Sequence, residues 1–190
     1  MWRAAILEPR LYTEVATDTA ANRQAVVLVT LCGFVAGLSS GLSAIFRGTF
    51  LWWDTDPAWL WFTGFFLSSL LWTPIAWLLN SLLAWWLGTR VLWRDGTSVR
   101  YAAVLRAMGF SYIPNLVCSF FSGIPYVGML VSLPGVIWGV IAEVIALRQS
   151  LSLSTGRAIC IFLAVLAPYF VAALVTMVVF FLVYVVRYAD

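Results

Sequence analysis

Five apolar runs, at residues 25–46, 58–87, 100–121, 123–147 and 158–186, limit most strongly what this chain can fold into. Each is at least as long as the roughly 20 residues an α-helix needs to cross the hydrocarbon of a bilayer. Within hydrocarbon the backbone must satisfy its own N–H and C=O groups, so runs of this kind are helices. Charged residues make up 10% of the 190, against about a quarter in soluble domains. The fold expected is an all-α integral membrane protein, a five-transmembrane-helix bundle in one domain over residues 25–190. A short amphiphilic segment, residues 1–24, precedes it.

That leading segment mixes Arg3, Glu8, Arg10, Glu14, Asp18 and Arg23, and has no apolar core of the kind a cleavable signal needs. Trp2, Ile6, Leu7, Leu11, Tyr12 and Val15 are its apolar members, interrupted by Pro9. It reads either as a short helix lying in the membrane interface or as a flexible tail.

Every basic residue is Arg, and their distribution sets an orientation. With the leader inside and five crossings, Arg3, Arg10, Arg23, Arg90, Arg94, Arg100, Arg148 and Arg157 face the cytoplasm, and Arg47 and Arg187 face outward. The excess of basic residues on cytoplasmic loops predicts an N-terminus inside and a C-terminus outside. Trp52, Trp53, Trp59 and Trp61 flank one end of the second run, and Trp85, Trp86 and Trp93 the other. From Trp59 to Trp86 a helix rises roughly 40 Å, so the two clusters read as aromatic belts. The third and fourth runs are joined by Phe121-Ser-Gly-Ile-Pro125, a tight connection for a helical hairpin. Charge does not separate full crossing from a re-entrant hairpin here, but length favours crossing.

Catalytic chemistry finds little purchase. The chain has no His, which removes the commonest general base and metal ligand. Cys32, Cys118 and Cys160 are scattered through apolar runs and suggest packing, not a metal site or disulfides. Gly37-Leu-Ser39-Ser40-Gly41 matches the nucleophile-elbow pattern, but that elbow needs a strand-to-helix turn and a base, and neither is present. Gly33, Gly37 and Gly41 share one helix face instead, which lets another helix approach closely. Asp54 and Asp56 read as a solvated loop. No catalytic, metal or cofactor-binding residue and no cofactor is expected, and no Arg run suggests nucleic acid.

The stretch from Arg106 to Ala158 gathers most of the polar groups that a bilayer should reject. Arg106 lies six residues past Arg100, and Glu143 five residues before Arg148, on helices that run antiparallel. Both fall roughly 8–9 Å below the cytoplasmic boundary at 1.5 Å per residue. An intramembrane ion pair between them is the first expectation, with a functional polar site as the alternative. Ser111, Tyr112, Asn115 and Ser119 form a polar stripe on the third run. Pro74, Pro114, Pro134 and Pro168 are expected to kink their helices. Pro114 and Pro134 each stand fourteen residues from the boundary and should meet at similar depth.

Arg106-Ala-Met-Gly109-Phe-Ser-Tyr112-Ile-Pro114, then Ile124-Pro125-Tyr126-Val-Gly128, then Leu151-Ser-Leu-Ser154-Thr155-Gly156-Arg157-Ala158 resemble the Yip domain family of Ypt/Rab-interacting proteins and their bacterial relatives. The leader's Leu7-Glu8-Pro9 fits as well. The resemblance implies five spans with a cytosolic N-terminus, here in a bacterial inner membrane. Eukaryotic members act in vesicle trafficking with Rab-type GTPases. Their Asp-Leu-Tyr-Gly-Pro signature and long soluble extension are missing here, which argues against GTPase binding.

Three functional readings follow. The first is a non-enzymatic membrane protein that organises or binds other membrane proteins, itself or lipids. The second is a small solute, ion or lipid transporter or channel using Pro-broken third and fourth helices. The third, an intramembrane enzyme, lacks a His and a paired catalytic Asp in the spans.

Overall fold

The structure, a computed structural model, describes residues 2–48, 57–91, 99–124 and 126–188. Asp54, Asp56, Trp52, Trp53, Trp93, Arg94, the Asp95–Gly96 pair and Pro125 lie outside these residues. Two short helices come first, α1 (Trp2–Ala5) and α2 (Pro9–Thr17). The apolar runs follow as α3 (Ala21–Gly48), α4 (Ala58–Trp86) with a π-helical turn at Leu87–Val91, α5 (Tyr101–Phe110), α6 (Ile113–Ser122), α7 (Val127–Ser150) and α8 (Thr155–Tyr188). Five segments are long and apolar enough to cross a membrane, the third being α5 and α6 together. The protein is an all-α, multi-pass membrane protein.

Between apolar helices in lipid, close packing and hydrogen bonds hold the bundle, because lipid tails are as apolar as the side chains. The tightest pair is α3 with α4, antiparallel. A Cβ at Gly37 would stand 2.8 Å from the Phe66 carbonyl oxygen, and one at Gly41 2.6 Å from the Phe62 ring. One at Gly33 would stand 3.1 Å from the Ser69 oxygen and from Thr73. All three glycines therefore face α4. Indole N–H groups tie α4 to the next span: Trp77 donates to the Leu105 carbonyl at 3.0 Å and Trp85 to that of Val99 at 2.8 Å. The Ser39 hydroxyl donates to the Ser119 carbonyl on α6, so the serine of the elbow-like pattern is a bridge between helices.

A second small-residue face sets the α6–α7 hairpin. A Cβ at Gly135 would lie 2.6 Å from Cys118 Sγ, and one at Gly139 2.9 Å from Asn115 Oδ1. This register decides the depths. Pro134 stands level with residue 119, five residues beyond Pro114, so the two prolines do not meet as the count from Arg100 and Arg148 suggested.

The prolines also act differently from one another. Pro74, Pro134 and Pro168 lie inside helices that continue through them. At Pro114 the span breaks: α5 stops at Phe110, Ser111 and Tyr112 form a turn, and α6 restarts at Ile113. Proline is tolerated in a first helical turn because its missing N–H is unneeded there. The same reason seats Pro9 at the start of α2, where it begins a helix and does not interrupt one. Ser154 stands just before α8, its carbonyl accepting the Ala158 N–H at 3.0 Å.

The buried core lies in one half of the bundle. It joins Leu28 and Val29 of α3, Trp77 and Ala84 of α4, Val104 and Met108 of α5, Leu147 at the end of α7, and Ile161 and Val165 of α8. This is the half that carries Arg23, Arg100 and Arg148. In the opposite half each residue of α8 from 167 to 179 is exposed, and beyond Tyr169, whose hydroxyl still reaches Asn80 of α4, the helix leaves its neighbours.

Candidate functional site: the leader clamp and the break in the third span

The leader is neither a free tail nor a helix lying on lipid. Leu11, Tyr12, Val15 and Ala16 follow one another at helical spacing and form a single buried face of α2. That face packs against α5 and α7. Leu7, at φ 60°, turns the chain between α1 and α2.

Arg106 holds the end of this leader. It is 6% exposed. Its Nε donates to the Val15 carbonyl at 3.0 Å, Nη2 donates to the Ala16 carbonyl at 2.5 Å, and Nη1 to Asn22 Oδ1 at 3.2 Å. The last carbonyls of a helix have no partner within it and carry the negative end of its dipole. A planar guanidinium with five fixed donors suits such a cluster of acceptors. The cost of taking a charge out of water is thus met by the leader's backbone.

The expected Arg106–Glu143 ion pair does not form. No ion pair joins the two residues, whereas Arg3 pairs with Glu8 and Glu14. The reason is register. With Gly139 against Asn115, one further turn sets Glu143 opposite Ser111, while Arg106 stands five residues nearer the Arg-rich end. That offset is about 7 Å along the helices.

The start of the leader is pinned too. Trp138 of α7 donates its indole N–H to the Ala5 carbonyl at 3.0 Å, and the Thr13 hydroxyl donates to Gln149 Oε1 at 3.3 Å. Arg3 bridges Glu8 at 2.7 Å and Glu14 at 2.8 Å. Its hydrogen bonds hold both carboxyls below the usual carboxylate range, and the two carboxylates raise Arg3 in return. Burial pushes the Tyr12 phenol up to about 12. Its hydroxyl is buried without a hydrogen-bond partner among the described residues.

The polar stripe does not act as one surface. Ser111 donates to the Met108 carbonyl at 2.7 Å and Ser119 to that of Asn115 at 2.7 Å, so both hydroxyls return to their own span. Asn115 faces Gly139 of α7. Tyr112 makes no side-chain hydrogen bond to a described group, and it lies within electrostatic range of Glu143, Cys32 and Tyr169. Tyr169 of α8 in turn donates to Asn80 Oδ1 of α4 at 2.7 Å. Sequence reasoning missed the Asn80–Tyr169 pair and the face of α7 made by Gly135, Gly139, Ala142 and Ala146. The latter is readable as small residues three and four apart. Beside it an apolar groove of about 360 Å³ opens between α6 and α7, lined by Cys118, Phe121, Pro134 and Trp138 among others.

No curated protein and no solved structure matches the chain. The pattern of one family, the Yip1 domain, runs from residue 5 to residue 180 and so takes in the docked leader as well as the spans. With nearly its whole length matched, this chain belongs to the Yip1 domain family.

Proposed function

We propose that this protein is a non-enzymatic organiser of the membrane that binds other membrane proteins or lipids through the half of the bundle where α8 stands away from the other helices. The observation that carries this reading is α8. A helix packed in a bundle buries at least one stripe, yet every residue from 167 to 179 is exposed. Phe170, Leu174 and Met177 are 70%, 62% and 73% exposed. A second surface is the outer part of α7, where Met129, Leu130 and Leu133 are exposed beside the apolar groove. A partner helix or lipid chains match both surfaces in chemistry.

The test is photo-cross-linking in native membranes, with a photoreactive residue at Leu174 or Met177 and at buried Ile161 for comparison. Discrete protein or lipid adducts at the first two positions support the reading. Adduct yields no higher than at Ile161 sink it. The accompanying orientation, leader in the cytoplasm of a bacterial inner membrane and C-terminus outside, rests on the Arg distribution. Alkaline phosphatase fused after Asp190 should be active, and an inactive fusion that is fluorescent with a cytoplasmic reporter would reverse it.

Transport is the second reading, favoured by the break of the third span at Ser111 and Tyr112. The fourth span runs unbroken through Pro134, which leaves one interrupted helix where the reading asked for two. Solute flux into liposomes holding the purified chain, absent from empty liposomes, would promote it over the first.

A further inference from the structure

Glu143 is the carboxylate of α7, and it forms neither an ion pair nor a hydrogen bond with any described group. An ionised carboxylate in a membrane span is strongly disfavoured unless something neutralises it. Arg106, the obvious candidate, is committed to the leader.

The register of the hairpin says what Glu143 faces. Gly135 lies against Cys118 and Gly139 against Asn115. One more turn along α7 brings Glu143 opposite Ser111 and Tyr112, the turn between α5 and α6. The groups there are oxygens in need of a partner. Pro114 has no N–H, so the Phe110 carbonyl lacks the donor that a continuous helix would provide four residues on. The Tyr112 hydroxyl is unpaired among the described residues and lies within electrostatic range of Glu143. A proton serves one such oxygen at a time. A small hard cation accepts several oxygen ligands at once, and unwound carbonyls beside a membrane helix are suited to coordinating one. A single carboxylate is made neutral by a single positive charge.

We propose that Glu143 and the break between α5 and α6 bind a monovalent cation of the sodium class, with Glu143 supplying the charge and the Phe110 carbonyl and Tyr112 hydroxyl supplying neutral oxygens. The bound ion fastens α7 to the third span at the point where that span is interrupted. This goes beyond the organising role proposed above and stands whether or not the ion crosses the membrane.

The experiment uses the full chain in detergent or nanodiscs, with sodium, potassium or choline chloride at equal ionic strength. A hydrophobic carbodiimide labels protonated carboxyls in apolar surroundings, and peptide mass reads the label at Glu143. Sodium is expected to slow that labelling at least tenfold relative to choline, with potassium ranking the two metal ions. Sodium should also raise the Tm of the wild-type chain and leave that of Glu143→Gln unchanged. Where Glu143→Gln fails to fold, the labelling series on the wild-type chain decides alone. Equal labelling in all three salts means a carboxyl that is simply protonated, and overturns the proposal. Glu14→Gln must keep the sodium effect, and losing it there would assign the effect to the leader and overturn the proposal as well.

Discussion

The indole N–H of Trp138 donates to the carbonyl of Ala5 at 3.0 Å across 133 residues of sequence. One residue of α7 thus holds the start of the leader, and Arg106 of α5 holds its end. The two contacts fix a segment of fewer than twenty residues against the bundle, its start level with Trp138, ten residues along α7 from Arg148, and its end on Arg106.

Arg106→Leu should release the leader. It strips the α2 carbonyls and Asn22 of their donors, at a cost of roughly 2–4 kcal/mol for hydrogen bonds involving a charge. Limited proteolysis should then cut within the leader much faster than in the wild-type chain. Arg106→Lys should recover little, because one ammonium cannot reproduce the planar fork. Since Arg106 and Glu143 are not paired, Arg106→Leu and Glu143→Leu should add to within about 0.5 kcal/mol. A large coupling energy between them would restore the ion pair that the register denies.

How legible this was differs between levels. The five spans followed from run length, because nothing but helix can carry twenty apolar residues through hydrocarbon. Depth did not follow, because a count from Arg100 and Arg148 treats both helices as beginning at one boundary and running unbroken. The turn at Ser111 and Tyr112 and the seating of Gly139 on Asn115 shift that register by about five residues. This separates Arg106 from Glu143 and Pro114 from Pro134. The partner of Arg106 was hidden for another reason: it is main-chain oxygen, which leaves no side-chain signal. The amphipathic face of α2 was the readable half of that contact.

Packing between α3 and α4 gives a graded prediction. Gly37→Ala should destabilise by roughly 1–3 kcal/mol, because its Cβ would meet backbone, the Phe66 oxygen, at 2.8 Å. Gly41→Ala should cost less, because its closest contact is the Phe62 ring edge and the nearest backbone atom, the Phe62 oxygen, stands farther off at 3.1 Å. A Cβ at Gly64 would meet nothing within 4 Å, so Gly64→Ala should be neutral or stabilising by up to about 1 kcal/mol. Thermal unfolding in detergent orders the three, and equal losses at Gly37 and Gly64 would place Gly37 toward lipid.

The acidic limit of leader docking follows from Arg3. Glu8 and Glu14 have folded values below their ordinary 4.5. A lowered carboxyl contributes stability that is complete above the unfolded value and is lost as pH falls through the folded one. Hydrogen exchange of leader amides, corrected for the intrinsic rate, should therefore be flat above 4.5 and accelerate below it. Arg3→Met should remove that step. An unchanged profile in Arg3→Met would mean that the bridges contribute nothing to docking.

Tyr12 sets the alkaline limit, with the opposite sign. Its phenol is raised from 10.0 to about 12 by burial, so the neutral form is favoured in the folded state. The associated stability is complete below the unfolded value and disappears as pH rises through the folded one. That rise corresponds to about 2–3 kcal/mol, enough to loosen α2 from α5 and α7. The hydroxyl has no hydrogen-bond partner among the described residues, and a buried unsatisfied donor is itself costly. Tyr12→Phe should therefore abolish the alkaline loss and, at neutral pH, leave stability unchanged or raise it by about 1 kcal/mol. Thermal unfolding of the two chains between neutral pH and pH 12 measures both effects. A Tyr12→Phe chain that is less stable at neutral pH would show that the hydroxyl has a partner, and that α2 is seated on the bundle by one more hydrogen bond than the structure contains.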